Sequence, residues 1–141
     1  MLEVQGNLFS YPHIGQSNVG IAHCISADYA LGKGFAAEIE SRYHIRDFLK
    51  TVYKGDCPDV IIVDSIVNLV TKERYWQKPT YENFDKTLIM AREKCLEKGI
   101  DTLIMPRIGC GLDRLDWRIC KDSIKFLIDE YDIDCIVFYI K

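Results

Sequence analysis

Long apolar runs are missing from this chain. None approaches the ~20 residues that carry a helix across a bilayer, so no membrane-spanning helix is expected. The opening Met1-Leu2-Glu3-Val4-Gln5-Gly6 lacks the basic and apolar regions of a secretory signal, which leads us to expect a protein that is not secreted. Basic residues never gather into a run and the net charge is −3, so chain-wide attraction to nucleic acid or to an anionic membrane is not expected either. A local basic groove remains open. There is no Cys-x-x-Cys, no repeat, no low-complexity stretch and no linker-like segment.

What is present fits one domain spanning residues 1–141 with a real core. Hydrophobic residues make up 48% and charged residues 28%, the balance of a soluble globular protein. The six cysteines, at 24, 57, 95, 110, 120 and 135, mostly fall inside apolar strand or helix patterns. Reduced, largely buried thiols in a cytoplasmic or nuclear protein are the expectation. His13, His23 and His44 show no ligand spacing with these cysteines, so no metal site is expected. No cofactor is called for, and a monomer is the expected state.

Hydrophobic periodicity outlines the elements. Leu2 to Gly6 reads as a short extended segment and Val19 to Ile25 as a buried strand. Ser26 to Gly34 is a glycine-containing loop before a helix whose face carries Phe35, Ile39 and Tyr43. Two apolar runs, Val60–Val63 and Ile66–Thr71, flank Asp64-Ser65 as an antiparallel hairpin, and the second ends in Lys72. Thr80 is the expected N-cap of a helix bearing Tyr81, Phe84, Leu88, Ala91 and Cys95, and Gly99 its stop. Thr102–Met105 is a strand. Trp117, Cys120, Ile124, Leu127, Ile128 and Tyr131 mark the last helix, and Cys135–Ile140 the last strand. Alternating strands and helices with one hairpin predict a mixed central sheet covered on both faces. Ligands in such sheets sit outside the carboxyl ends of the strands, where both glycine loops are predicted.

Met105 to Trp117 is the most informative stretch. An apolar strand stops at Pro106, Gly109 and Gly111 flank Cys110, and Asp113 precedes a helical pattern. Glycines let a ligand approach the main chain, and the N–H groups of a following helix favour a phosphate. Asp113 and Asp116 have two readings, helix capping and chemistry beside the phosphate loop. Lys72 also has two. Lysine after a strand is commonly a solvated charge. Desolvated, it becomes a nucleophile for a carbonyl-like carbon, with a nearby carboxylate moving protons. His23-Cys24 is set aside as a nucleophilic pair because adjacent strand residues face opposite ways. Cys110 is read as a small filler rather than a reactive thiolate. Trp76, Lys78 and Tyr81 are candidate substrate contacts, with Trp76 equally read as closing a loop.

Gly6-Asn7-Leu8-Phe9, Ala22-His23-Cys24-Ile25-Ser26, Gly32-Lys33-Gly34, Leu69-Val70-Thr71-Lys72, Lys78-Pro79-Thr80-Tyr81-Glu82-Asn83 and Met105 through Leu115 together resemble the macrodomain family. Within it, the chain is similar to the terminal ADP-ribose protein glycohydrolase branch, which includes antitoxin macrodomains acting on DNA. The resemblance spans nearly the whole chain and implies an α/β macrodomain, a three-layer α/β/α sandwich with a mixed central sheet. It implies that Lys72 attacks the anomeric carbon of the distal ribose and forms a lysyl–ADP-ribose adduct, which Asp113 helps resolve. It also implies an ADP-ribose site made by Asn7, Leu8, Ile25, Ser26, Leu31, Gly32, Gly34, Thr71, Pro106, Ile108, Gly109, Cys110, Gly111, Leu112 and Tyr139. Among these, Ser26, Gly32 and Gly34 line the distal ribose, and Gly109 to Leu112 wrap the pyrophosphate through backbone.

The expected activity is removal of mono-ADP-ribose from acidic side chains of protein, or from nucleic acid bases. Deacetylation of O-acetyl-ADP-ribose is an expected side activity. The rivals are an ADP-ribose 1″-phosphatase and a non-catalytic ADP-ribose reader. One departure stands out. The family usually has Asp at the position of Asn7, where the acid accepts from the adenine amino group. Asn7 is expected to accept through its amide oxygen, without charge, at a loss of ~1 kcal/mol of binding.

Overall fold

The apolar runs read from the sequence meet in one mixed sheet. The computed structural model describes residues 1–52 and 54–140. Among them, β1 (Leu2–Gln5), β2 (Val19–Ser26), β3 (Asp59–Val63), β4 (Ile66–Lys72), β5 (Thr102–Met105) and β6 (Asp134–Tyr139) pair in the order β1-β6-β5-β2-β4-β3. Only β3 runs antiparallel, against β4, in the hairpin expected around Asp64-Ser65. All other neighbours are parallel, so five strands deliver their carboxyl ends to a single edge. Central strands β2 and β4 are buried almost throughout, as continuous apolar runs must be when both faces are covered.

Among the described residues, four α-helices cover those faces: α1 (Gly34–Tyr43), α2 (Arg46–Thr51), α3 (Tyr81–Lys98) and α4 (Trp117–Ile124). On one side Phe84, Leu88 and Ala91 of α3 and Ile124 of α4 pack on Leu69, Leu103 and Val137. On the other, Ile39 of α1 and Leu49 of α2 pack on Ile25, Val70 and Ile104. Burying one such Leu, Ile or Phe side chain contributes about 1.5–3 kcal/mol. The result is a three-layer α/β/α sandwich with a mixed central sheet, as the resemblance implies. No helix is long and apolar enough to cross a membrane among the described residues.

Local chemistry sets the helix ends. Thr80 accepts from the Asn83 N–H at 3.1 Å and caps α3, whose far end turns at Gly99 in the left-handed region, φ 80°. Two elements differ from expectation. Helix α2 follows α1 after His44, held left-handed at φ 52°, and its short, charge-rich stretch shows little periodicity. The last helix does not run smoothly to Tyr131. Beyond Ile124 it continues as a π-helical turn, Lys125–Asp129. There the Asp129 carboxylate accepts from the Met1 ammonium at 2.8 Å and the Cys135 N–H at 3.1 Å, which turns the chain into β6.

Candidate active site

Lys72 is the last residue of β4, and a register shift in β2 between Ile25 and Ser26 sets it opposite Ser26. Its carbonyl accepts from the Ala27 N–H at 2.8 Å, so the strand end is anchored. Its ammonium does not reach into solvent. Lys72 Nζ donates to Asp113 Oδ1 at 2.6 Å, with the two side chains only 12% and 14% exposed. The solvated-charge reading of Lys72 is thereby set aside. The two aspartates also separate. Asp116 caps α4 by accepting from the Arg118 N–H at 2.9 Å, whereas Asp113 meets the lysine.

The loop after β2 closes over this pair. Asp28 accepts from the Ser26 hydroxyl and the Ala30 N–H through one oxygen, and from the Tyr75 N–H through the other. Gly34 sits at φ 60° and opens α1, which no side chain caps. The first N–H groups of α1 therefore form an uncapped positive end at the sheet edge. The helix after the second glycine loop, expected to share a diphosphate with the first, begins differently. That helix starts at Trp117, and Asp116 already occupies its N-terminus.

Gly109 in the second loop takes φ 79°, and an added Cβ would meet Leu115, Phe84 and Cys120 at 3.1–3.3 Å. Only glycine lets the loop press onto the core here. From the same loop, Leu112 leans across to Gly34, whose added Cβ would lie 3.0 Å from Leu112 Cδ1. The two loops thus meet above the strand ends.

Beside them lies a cavity of about 600 Å³ between the ends of β1 and β6 and the start of α1. Its walls include Asn7, Phe35, Glu38, Arg107, Trp117 and Tyr139. The Arg107 guanidinium lies 4.3 Å from the Tyr139 ring centroid and 5.8 Å from that of Trp117. Glu3 holds this wall from behind, accepting from Trp117 Nε1 at 2.9 Å and pairing with Lys121 at 2.7 Å and Arg107 at 3.7 Å. Asn7 lines the cavity at the end of β1. Its side-chain oxygen already accepts from the Phe9 N–H at 3.0 Å, capping the turn at Leu8–Ser10.

The other expected residues divide by exposure. Pro106, Cys110 and Gly111 line the cavity with Asn7, Leu8 and Tyr139, while Gly32 and Leu112 stand exposed on the two loops. Leu8, Ile25, Leu31, Thr71 and Ile108 are buried, which leaves mainly their backbone to face a ligand. The Ser26 hydroxyl is committed to Asp28. Thr71 Oγ1 is buried without a hydrogen-bond partner among the described residues. Cys110 is half-buried with its Sγ 3.4 Å from the Ile108 carbonyl, so it is not the fully enclosed filler expected. Tyr81 is structural, its hydroxyl accepting from the Asp116 N–H at 2.9 Å. Trp76 is 70% exposed and does not close a loop by packing. Sequence reasoning missed Asp28, Glu38 and Arg107. For Asp28 the signal was present, because an aspartate two residues after a serine at a strand end commonly forms a side-chain-capped turn.

No family model matches the chain. Human ADP-ribose glycohydrolase OARD1 is 37% identical over 138 residues, covering 96% of this chain and 88% of the relative. The chain belongs to the macrodomain family, in its ADP-ribose glycohydrolase branch. The bovine OARD1 relates to this macrodomain in the same way, at 36% identity over the same shares. Among solved structures, the macrodomain of Thermus aquaticus DarG has a TM-score of 0.83 at 17% identity and covers 99% of this chain and 97% of its own. Thermosipho africanus DarTG, solved in complex with ADP-ribose, has a TM-score of 0.76 at 15% identity, covering 98% of this macrodomain and 41% of that chain. At such identities these structures speak for the fold.

Proposed function

We propose that this macrodomain is a hydrolase that binds ADP-ribose and releases it from acidic side chains through a covalent adduct on Lys72. The observation that carries the reading is the 2.6 Å contact between Lys72 Nζ and Asp113 Oδ1 at the strand ends, between two glycine loops. A reader that only holds its ligand has no use for an amine and a carboxylate enclosed together. The related human and bovine proteins are named ADP-ribose glycohydrolases, which agrees.

An elongated nucleotide sugar fits the edge in one direction. Its distal ribose lies at Lys72 and Asp113. Its diphosphate lies across Gly109–Gly111 and the uncapped start of α1, whose N–H groups favour anions. Its base enters the cavity near Asn7. Chemistry then follows from the pair. Asp113 takes a proton from the Lys72 ammonium and passes it to the departing carboxylate, while the neutral amine attacks the anomeric carbon with the ribose ring closed. The carbon–nitrogen bond forms as the bond to the modified side chain breaks, and that side chain leaves as its free acid. Asp113 then draws a proton from water, which attacks the same carbon. The bond to Lys72 breaks, the amine recovers its proton, and ADP-ribose departs.

Incubation with protein ADP-ribosylated on glutamate tests this. Lys72→Ala is expected to abolish release, and Asp113→Ala to slow it, with the mass of ADP-ribose accumulating on Lys72. Full turnover by Lys72→Ala would refute the covalent route. Parallel arms with ADP-ribosylated DNA, ADP-ribose 1″-phosphate and O-acetyl-ADP-ribose rank the substrates. As six free thiols suit a reducing compartment, we place the protein in the cytoplasm or nucleus, acting as a monomer.

A further inference from the structure

We infer that Cys110 and Cys120 form a peroxide-oxidisable pair whose disulfide turns the site off. The proposed reaction uses no thiol. The disulfide needs no ligand to form, and only the loss of activity rests on the hydrolase reading.

The two sulfurs meet at Gly109. Cys110 is half-buried and lines the cavity, so a small oxidant can reach it. Cys120 lies on α4 and is fully enclosed. Its Sγ lies 3.3 Å from where a Cβ on Gly109 would stand, so the thiol presses on the loop from the core side. There it donates to Cys110, and that bond favours the Cys110 thiolate, the form that attacks a peroxide. Cys24 also lies under the loop, facing the Gly109 N–H, but burial raises its thiol and keeps it protonated.

With hydrogen peroxide as oxidant, the Cys110 thiolate attacks one oxygen and the O–O bond breaks. Cys110 becomes a sulfenic acid, and the departing hydroxide takes up a proton as water. This step removes the negative charge on Cys110 that raises the Cys120 thiol. Cys120 then gives up its proton and attacks the Cys110 sulfur. The S–S bond forms, the S–O bond breaks, and hydroxide and proton leave as a second water. The two thiols have lost two electrons and the peroxide has gained them.

The new bond draws Cys110 inward, closer than a hydrogen bond holds it. Gly109 has no room to follow, because it already packs on Leu115, Phe84 and Cys120. The loop is also pinned beyond Asp113, where the Leu115 N–H donates to the Gly109 carbonyl at 2.7 Å. The slack must come from residues 111–114, which carry Asp113 away from Lys72.

Treating the full chain with hydrogen peroxide, then mapping it with trypsin without reductant and assaying turnover, tests this. The chain is expected to lose about 2 Da, with residues 108–114 joined to residues 119–121. Turnover of protein ADP-ribosylated on glutamate is expected to fall at least about tenfold, the scale of a reacting group misplaced by about an ångström, and dithiothreitol to restore it. In Cys120→Ala the sulfenic acid has no partner, so Cys110 is expected to gain about 32 Da as a sulfinic acid that dithiothreitol does not reverse. If that variant fails to fold, the map of the native chain decides alone. A map without the joined peptides, or with Cys24 joined instead, overturns the pair. A joined protein that keeps full turnover overturns the switch. If the reduced protein hydrolyses nothing, the hydrolase reading fails, while the map still judges the pair.

Discussion

The Asp28 carboxylate accepts from the backbone N–H of Tyr75 at 3.0 Å, tying the loop after β2 to the loop after β4. Its other oxygen takes the Ser26 hydroxyl and the Ala30 N–H, so one side chain holds both walls around Lys72. Burial raises the Asp28 carboxyl, yet the bonds from Ser26, Tyr75 and Ala30 outweigh it and hold the group below the usual carboxylate range. A carboxyl depressed by folding contributes stability that is complete above its unfolded value and fades as pH falls through its lower folded value. The tie is therefore intact at neutral pH. Asp28→Ala is expected to lower stability by about 2 kcal/mol and to reduce kcat more than affinity. Urea unfolding and steady-state kinetics check both, and an unaltered kcat would show that the tie does not position Lys72.

Three of the loop glycines should respond differently to alanine. At Gly111 a Cβ meets nothing within 4 Å, and a change within about 0.5 kcal/mol is expected. At Gly34 the cost is the left-handed backbone, about 1–2 kcal/mol, because the facing Leu112 is exposed and can swing aside. At Gly109 the same strain combines with contacts to the core at 3.1–3.3 Å, and about 3 kcal/mol or more is expected. Equal losses at Gly34 and Gly109 in urea unfolding would remove the steric part of this account.

His23 couples stability to pH. Asn68 donates to the Ile61 carbonyl at 2.9 Å, so its oxygen faces His23 Nε2 at 2.6 Å and must accept. Burial holds the imidazole down to about 4, and the Asn68 bond offsets this only in part. Above pH 6.5 the ring is neutral folded or unfolded. Between 6.5 and about 4 only the unfolded chain binds the proton, so stability falls with pH, by about 3 kcal/mol over the window. His23→Gln is expected to flatten that part of the pH–stability curve. A curve of unchanged slope would show that His23 is not the group responsible.

Cys110 should be the first thiol to react. The Cys120 thiol donates toward it and holds it below the usual range, although burial opposes this. Burial pushes Cys24 and Cys57 up, and Cys95 and Cys135 up to about 12. Cys120 is raised by its own bond to Cys110. With limiting iodoacetamide, mass spectrometry is expected to find Cys110 alkylated ahead of the others, and ADP-ribose to protect it. Labelling spread evenly over the six would contradict the assignment.

Much of the fold was legible along the chain. The run Ile66–Thr71, the stripe from Tyr81 to Cys95, the Thr80 cap and the Gly99 stop are each set by neighbours within about one helical turn or strand pair. Helix α2 was not legible, because six residues with one fully buried leucine carry too little periodicity. The end of the last helix was missed because Asp129 is drawn to Met1, 128 residues away in sequence.

By itself, the sequence determined where strands and helices begin, that the sheet is mixed, and that two glycine loops flank Lys72 and Asp113. These follow from side-chain spacing, caps and backbone freedom, which act over a few bonds. Only the tertiary structure decided that Lys72 is enclosed against Asp113, 41 residues on, and that Asp116 is merely a cap. It also decided that α1, not α4, presents uncapped N–H groups. Burial and pairing between distant segments depend on how the strands order themselves in the sheet, and no local pattern encodes that order.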